Sequence, residues 1–335
     1  MRVTIVGQGL AGTILAWQVL REGGDVRVVD RGDRPTASQA AAGLITPLTG
    51  RRLALSWRFP ELLPAARSFY DWAGRMLKHE LFRPRTISRV FRDAVERETW
   101  EGRASGLEPW VSPVRSAGLP RGIRAPWGFG EMKGGGVVNT ECFLRLSRER
   151  WIEEGRFRWG ETELGHGSDS GGPTVFCTGI AAAAHPDFAW LPFRPAKGEI
   201  LTLRIDGFRE ERVWNRAGHW LLPVGGEHYR CGATYSWDRL DSEPSKEARE
   251  DLERRLSEYM DLPWEVVEQK AAIRPVIRWS RLVMGSIPGA SGMWVFNGLG
   301  SKGALTAPFF ARQLARCVLK GEPIDAEAGL PLPTG

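Results

Sequence analysis

The chain opens on a strand, a glycine turn and a helix, and this unit limits the available folds more than any other feature. Arg2-Val3-Thr4-Ile5-Val6 is a short β-branched run with the pattern of a buried strand. Gly7-Gln8-Gly9-Leu10-Ala11-Gly12 follows as the turn, and residues 13–22 read as a helix with Leu15, Val19 and Leu20 near one face. Gly23-Gly24 ends the helix, and residues 26–29 form a second strand that closes on Asp30. A unit of this kind builds a parallel sheet covered by helices. Gly7 permits the tight turn, Gly9 lets a diphosphate approach the backbone, and Gly12 lets helix and strand pack closely. The helix N-terminus offers unpaired N–H groups and partial positive charge to phosphates. Asp30 lies 18 residues past Gly12, where a carboxylate meets ribose hydroxyls and disfavours a 2′-phosphate. The unit predicts a dinucleotide site and argues against NADP.

At 335 residues the chain has room for about two domains of ~150 residues. Apolar residues make up 42% and charged residues 26%, which supports a large core and excludes disordered and fibrous classes. No apolar run reaches the ~18 residues needed to span a bilayer, and no signal-peptide pattern precedes Val3, so a cytoplasmic protein is expected. Cys142, Cys177, Cys231 and Cys317 form no CxxC, and the five histidines, at 79, 166, 185, 219 and 228, form no HxxxH pair. No metal site and no disulfide scaffold are expected. The net charge is +6, carried mainly by arginine. It reads either as codon bias or as an anionic partner: an acidic substrate, a phosphate-rich cofactor or RNA. No run of five like charges marks a nucleic-acid tail. The 15 tryptophans are scattered and read mostly as core or pocket wall.

Further along, residues 37–45 are a small-residue stretch and 60–80 an amphipathic helix. Residues 83–136 read as short strands and loops, 140–154 as a helix with Thr140 as N-cap, and 173–178 as a strand. Strands over 199–205, 212–215, 219–223 and 229–234 predict an antiparallel sheet, followed by a charged helix over 245–259. Met293–Asn297 reads as a buried strand, and a helix over 304–319 closes the pattern. This order predicts an α/β fold in which a Rossmann-like dinucleotide-binding domain (1–50, 137–190 and 280–335) is interleaved with a smaller α+β substrate domain on an antiparallel sheet (51–136 and 191–279).

Three further segments identify the dinucleotide. Ser38, Ala42, Gly43 and Leu44 belong to a small-residue run able to pass close under a diphosphate and ring system. Thr178-Gly179 ends a strand where two-dinucleotide-fold flavoproteins return to the adenosine side. Gly298-Leu299-Gly300-Ser301-Lys302-Gly303 is a second glycine turn between strand and helix. It cannot serve the same diphosphate. Its helix N-terminus is expected to face a flavin ring and stabilise the negative charge that grows at N1–C2=O on reduction, with Lys302 adding a full charge. The contact set expected for FAD is therefore Gly7, Gly9, Leu10, Ala11, Gly12, Asp30, Arg31, Ser38, Ala42, Gly43, Leu44, Thr178, Gly179, Gly298, Gly300, Ser301, Lys302 and Gly303.

These pieces, with RPAKGEILTLR, HWLLPVGGEHYRCGATYSWD, AAIRP and FNGLGSKGALTAPFFARQLA, resemble the FAD-dependent amine and amino-acid oxidases of the D-amino-acid oxidase superfamily, in family order over nearly the whole chain. GLGSKGALTAP is most similar to the flavin domain of the bifunctional enzyme that modifies the tRNA wobble uridine; the methyltransferase half of that enzyme is absent. The resemblance implies non-covalent FAD, Arg274 as the partner of a substrate carboxylate, and Trp220 as a pocket aromatic. His219, one residue away, is expected to face the other side of the sheet. Where family members commonly carry an acidic residue after the Arg-Pro segment, this chain has Arg278 and Arg281. They fit a more acidic substrate or a surface. The expected activity is oxidation of the C–N bond of an amino acid or secondary amine by hydride transfer to flavin N5, giving an imine that hydrolyses. Arg274, Trp220 and Lys302 are the candidate catalytic residues. The alternatives are a tRNA-linked flavoprotein that removes a carboxymethyl group from a modified uridine and an FAD-binding protein without turnover.

Overall fold

A computed structural model describes residues 1–32, 36–50, 52–161, 171–278 and 281–330. His166 and the domain boundary expected at 279/280 lie outside the described residues. Among the described residues no helix is long and apolar enough to cross a membrane.

The glycine turn seeds a six-stranded sheet in the order Phe157–Trp159, Asp25–Asp30, Arg2–Val6, Thr174–Phe176, Met293–Asn297, Val283–Ser286. The first five strands run parallel and the last antiparallel. Val3 and Ile5 are fully buried, as a strand covered on both faces requires. Helices Leu10–Arg21 and Gly303–Lys320 share one core with Phe59–Leu77. The first helix starts at Leu10 rather than Thr13, so Gly9 is its N-cap. Gly12 lies inside that helix, where a Cβ would sit 1.9 Å from the Gly7 carbonyl oxygen.

The second sheet has seven strands: Glu265–Arg274, Ala196–Arg204, His228–Gly232, His219–Gly225, Val213–Arg216, Ile87–Val90, Phe129–Met132. Its pairs are antiparallel except Val213–Arg216 with Ile87–Val90. Alternation along the strands gives it two unlike faces. The rung Trp214, Leu221, Cys231, Leu201 is buried against Leu252 and Leu256 of helix Lys246–Ser257. The neighbouring rung faces the first sheet across a cavity.

Further elements differ from the sequence reading. Helix Ala94–Ala104 occupies a stretch read as strands and loops. Asp93 caps it, accepting from the Glu96 amide at 2.8 Å, and its buried residues are Trp100 and the ion-paired Glu96, so charge hides its apolar period. Helix Thr140–Glu153 is capped by Asn139 rather than Thr140: Asn139 Oδ1 accepts from the Cys142 amide at 3.1 Å. Of the tryptophans, Trp17, Trp100, Trp151 and Trp214 are core, whereas Trp159 and Trp237 are exposed.

Gly12→Ala is expected to destabilise the flavin-free protein by about 1–3 kcal/mol, because helix and strand must separate to admit one methyl. Gly9→Ala, whose Cβ would meet only Ser38 Oγ at 3.2 Å, changes that stability by no more than about 1 kcal/mol. Chemical denaturation of both variants checks the contrast.

Candidate active site

Between the two sheets lies a cavity of about 780 Å³. Both glycine turns open onto it from opposite ends of the chain. Gly7, Gly9, Leu10 and Ala11 line it, and so do Gly300, Ser301, Lys302 and Gly303. Asp30, Arg31, Ser38, Ala42, Gly43, Leu44, Thr178 and Gly179 also line it. Two expected contact positions do not. Gly12 packs against the Gly7 carbonyl, and Gly298, at φ +76°, packs against Ile277, where a Cβ would come within 2.5 Å of Cγ1. Both glycines shape the turns from behind.

The first turn is preset. Its Gln8 amide donates to Asp30 Oδ2 at 2.6 Å, and the Gly32 amide donates to Oδ1 at 2.8 Å. Asp30 therefore ties the turn to the end of its neighbouring strand while still facing the cavity. The Leu10 amide donates to Ser38 Oγ at 2.9 Å. The Ala11 and Gly12 amides, in the first helical turn, have no helical carbonyl one turn back to pair with. Sequence reading missed Asn297, which fixes the second turn. Buried at the end of its strand, it donates through Nδ2 to the Gly179 carbonyl at 2.9 Å and accepts from the Gly298 amide at 2.7 Å. A polar residue closing an apolar strand beside a glycine was the available signal.

The floor is the inner face of the second sheet. Arg274 ends strand Glu265–Arg274, and its guanidinium lies over Gly198, where a Cβ would be 2.0 Å from Nη2. It donates to the carbonyls of Lys197 and Thr234 at 3.2–3.3 Å and stacks on the Tyr235 ring with a centroid distance of 4.7 Å. No carboxylate pairs with it among the described residues. Burial pushes its pKa down. Trp220 lies across Gly232, where a Cβ would be 3.0 Å from indole Cζ2. Lys302 is the N-cap of helix Gly303–Lys320, and burial lowers its pKa as well. Two cations thus face the cavity without an internal counter-ion among the described residues, an arrangement that favours anionic ligands.

His219 points away from Trp220. It is buried, lies 3.1 Å from Tyr259 Oη through Nδ1, and burial pushes its pKa down to about 3. Arg278 and Arg281 are exposed and do not line the cavity; Arg281 pairs with Glu327 at 3.3 Å. The surface reading of these two arginines is the one their placement fits.

The profile of the DAO family, FAD dependent oxidoreductase, matches residues 2–317. Glycine oxidase of Pseudomonas aeruginosa is 24% identical over 96% of each chain. The tRNA 5-methylaminomethyl-2-thiouridine biosynthesis bifunctional protein of Idiomarina loihiensis is 24% identical over 96% of this chain, which spans 56% of that protein's length. The solved glycine oxidase of Geobacillus kaustophilus superposes with a TM-score of 0.83 at 19% identity, covering 100% of both chains. An interleaved pair of sheets, two glycine turns opening onto one cavity and a match over nearly the full length lead to one conclusion: the chain belongs to the DAO family of FAD-dependent oxidoreductases.

Proposed function

We propose that this protein oxidises the C–N bond of an amino acid or secondary amine that bears a carboxylate next to the reacting carbon. One observation carries the reading: the half-buried Arg274 guanidinium lines the cavity with, among the described residues, only backbone carbonyls as hydrogen-bond partners. A planar fork in that state binds a carboxylate through two parallel hydrogen bonds and fixes the carbon beside it.

FAD fits the donors present. The Ala11 amide and the Ser38 hydroxyl would hold its diphosphate, and Asp30 would accept from ribose hydroxyls. The start of helix Gly303–Lys320 and Lys302 would face the electron-rich part of the ring. Once bound, FAD supplies the acceptor for the hydride that leaves the carbon next to nitrogen. The protein's part is placement: Arg274 orients the substrate, and Trp220 with Ile200 excludes water from the floor. The amine must be neutral, so that its lone pair forms the C=N bond as hydride departs. It then loses its N–H proton, and water hydrolyses the imine to a carbonyl and an amine. Cys177 lines the cavity, but burial pushes its thiol pKa up and keeps it protonated. That supports non-covalent attachment of the cofactor. The division into a discontinuous FAD domain and a discontinuous substrate domain, with the boundaries expected from the sequence, is part of the same proposal.

Anaerobic mixing of the FAD-loaded protein with a panel of amino acids and N-substituted glycines is expected to bleach the flavin absorbance; a panel without one reducing member rejects the reading. Arg274→Met is expected to weaken apparent binding of carboxylate substrates between about tenfold and a hundredfold. The preference for a glycine derivative over the matching amine without a carboxylate should collapse with it, as steady-state kinetics on both compounds would show.

Lys302 gives a pH prediction with a defined sign. Its folded-state pKa lies below the ordinary 10.5, so the cost of burying its charge is greatest below the folded value and vanishes above 10.5. Lys302→Met should raise the melting temperature of the flavin-free protein at neutral pH by about a degree or two. That gain should fade as pH rises toward 10.5, which parallel thermal scans would test.

A further inference from the structure

The two polar ends of the cavity floor differ in whether a ligand can reach them. At one end Arg89, 3% exposed, gives Nε and Nη2 to Glu96 Oε1 at 2.8 and 2.5 Å, and the amide oxygen of its register partner Asn215 is sealed from solvent. That end is closed. The Arg274 end is open. Nη1 donates to the carbonyls of Lys197 and Thr234, and Nη2 gives one hydrogen to the same Thr234 oxygen. Nε–H and the second Nη2 hydrogen have no partner among the described residues, and Nε is not sealed from solvent. These two donors share one edge of the guanidinium and form a fork for a carboxylate.

Tyr235 flanks that fork. Its ring centroid lies 4.7 Å from the guanidinium carbon and the residue lines the cavity, yet it is 44% exposed. Trp237 packs on it, with ring centroids 4.8 Å apart and planes at 53°, and is 61% exposed. Leu240 is exposed on the same loop, and Ser242 returns to line the cavity. The loop is held at both ends. Ser236 exchanges backbone hydrogen bonds with Lys197 at 2.8 and 3.0 Å. The buried Lys197 ammonium donates to Asp241 Oδ1 at 2.6 Å, and Glu199 accepts from the Ser245 amide and hydroxyl at 2.9 and 2.7 Å. Holding Arg274 in place needs Tyr235 but not an exposed indole beyond it. Aromatic surface kept in water on a pinned loop carries a hydration cost that a ligand covering it removes.

Resting on the amine-oxidising reading above, we infer that Tyr235 and Trp237 are specificity-determining residues and that the substrate carries an aromatic ring beyond its carboxylate-bearing C–N unit. The carboxylate takes the open edge of Arg274. A linker of one or two atoms brings the ring to Tyr235 and the exposed indole of Trp237, where offset or edge-on packing of rings is favoured. A planar ring fits this wall better than a saturated ring of similar bulk, because the saturated ring lacks the quadrupole that orients aromatic pairs. Glycine leaves the wall bare, and a charged substituent would lose hydration against it. The ring is carried either by the nitrogen or by the side chain on the reacting carbon. Recognition is the same in both cases, and the test has an arm for each.

Calorimetric titration of the FAD-loaded protein with carboxylates that lack the amine tests this without turnover. In the first arm (benzylthio)acetate, (cyclohexylmethylthio)acetate and methylthioacetate place the group where nitrogen would carry it. In the second, β-phenylpropionate, β-cyclohexylpropionate and propionate place it on the side chain. In at least one arm the phenyl compound is expected to bind about tenfold more tightly than the small reference and about threefold more tightly than the cyclohexyl compound. Trp237→Ala is expected to cut the phenyl-to-reference affinity ratio by about threefold or more. Trp237 stands outside the buried core, so this variant separates the wall from the fold. Phenyl compounds no tighter than the small references in both arms overturn the aromatic wall and leave the carboxylate-amine reading intact. Equal binding of phenyl and cyclohexyl compounds overturns the preference for an aromatic ring. A ratio unchanged in Trp237→Ala overturns the role of Trp237. No binding by any of the six compounds overturns the carboxylate-amine reading and this inference together.

Discussion

The contact on which the rest depends is the one that a side chain at residue 12 would forbid. Helix Leu10–Arg21 sits against the Gly7 carbonyl closely enough that a Cβ at Gly12 would lie 1.9 Å from its oxygen. That approach brings the start of the helix to the edge of the cavity, where its free amides can serve a diphosphate. The same logic recurs at the other end of the chain. Gly298 turns against Ile277, Asn297 bridges to Gly179, and helix Gly303–Lys320 starts at the cavity wall. Two helix N-termini from opposite ends of the polypeptide thus open onto one cavity. A cofactor bound there binds only the folded arrangement and adds to its stability by mass action.

How much of this was legible follows from how local each signal is. Arg2–Val6 and Met293–Asn297 were read to the residue, because continuous β-branched and apolar runs need no tertiary context to be recognised as buried strands. The glycine turns were legible because only glycine suits a tight turn or a close backbone approach. Helix Ala94–Ala104 was missed, since a mostly charged helix held by one tryptophan has little periodicity; the Asp93 to Glu96 spacing was its one local mark. Gly12 and Gly298 were read as contacts because a motif names positions and does not say which side of the turn each faces.

The polar end of the floor was illegible for a different reason. Arg89 and Asn215 lie 126 positions apart and become neighbours only through a parallel pairing inside an otherwise antiparallel sheet. Neither stands in a motif. Gly198 and Gly232 carried a weak signal: glycines within strands mark places where something must lie close to the backbone. Here the guanidinium of Arg274 and the indole of Trp220 take that space.

The cavity treats its cations in two ways, and the difference bears on selectivity. Arg274 and Lys302 face it without carboxylate partners, and burial disfavours the charge of each, so a bound anion relieves a cost already present in the empty protein. Arg89 is more deeply buried than either and is neutralised by Glu96, so it adds no net charge to the cavity wall. Net positive charge is therefore concentrated at Arg274 and Lys302, and an anionic group is drawn to that part of the cavity. A second uncompensated arginine at residue 89 would divide that attraction between two places on the floor.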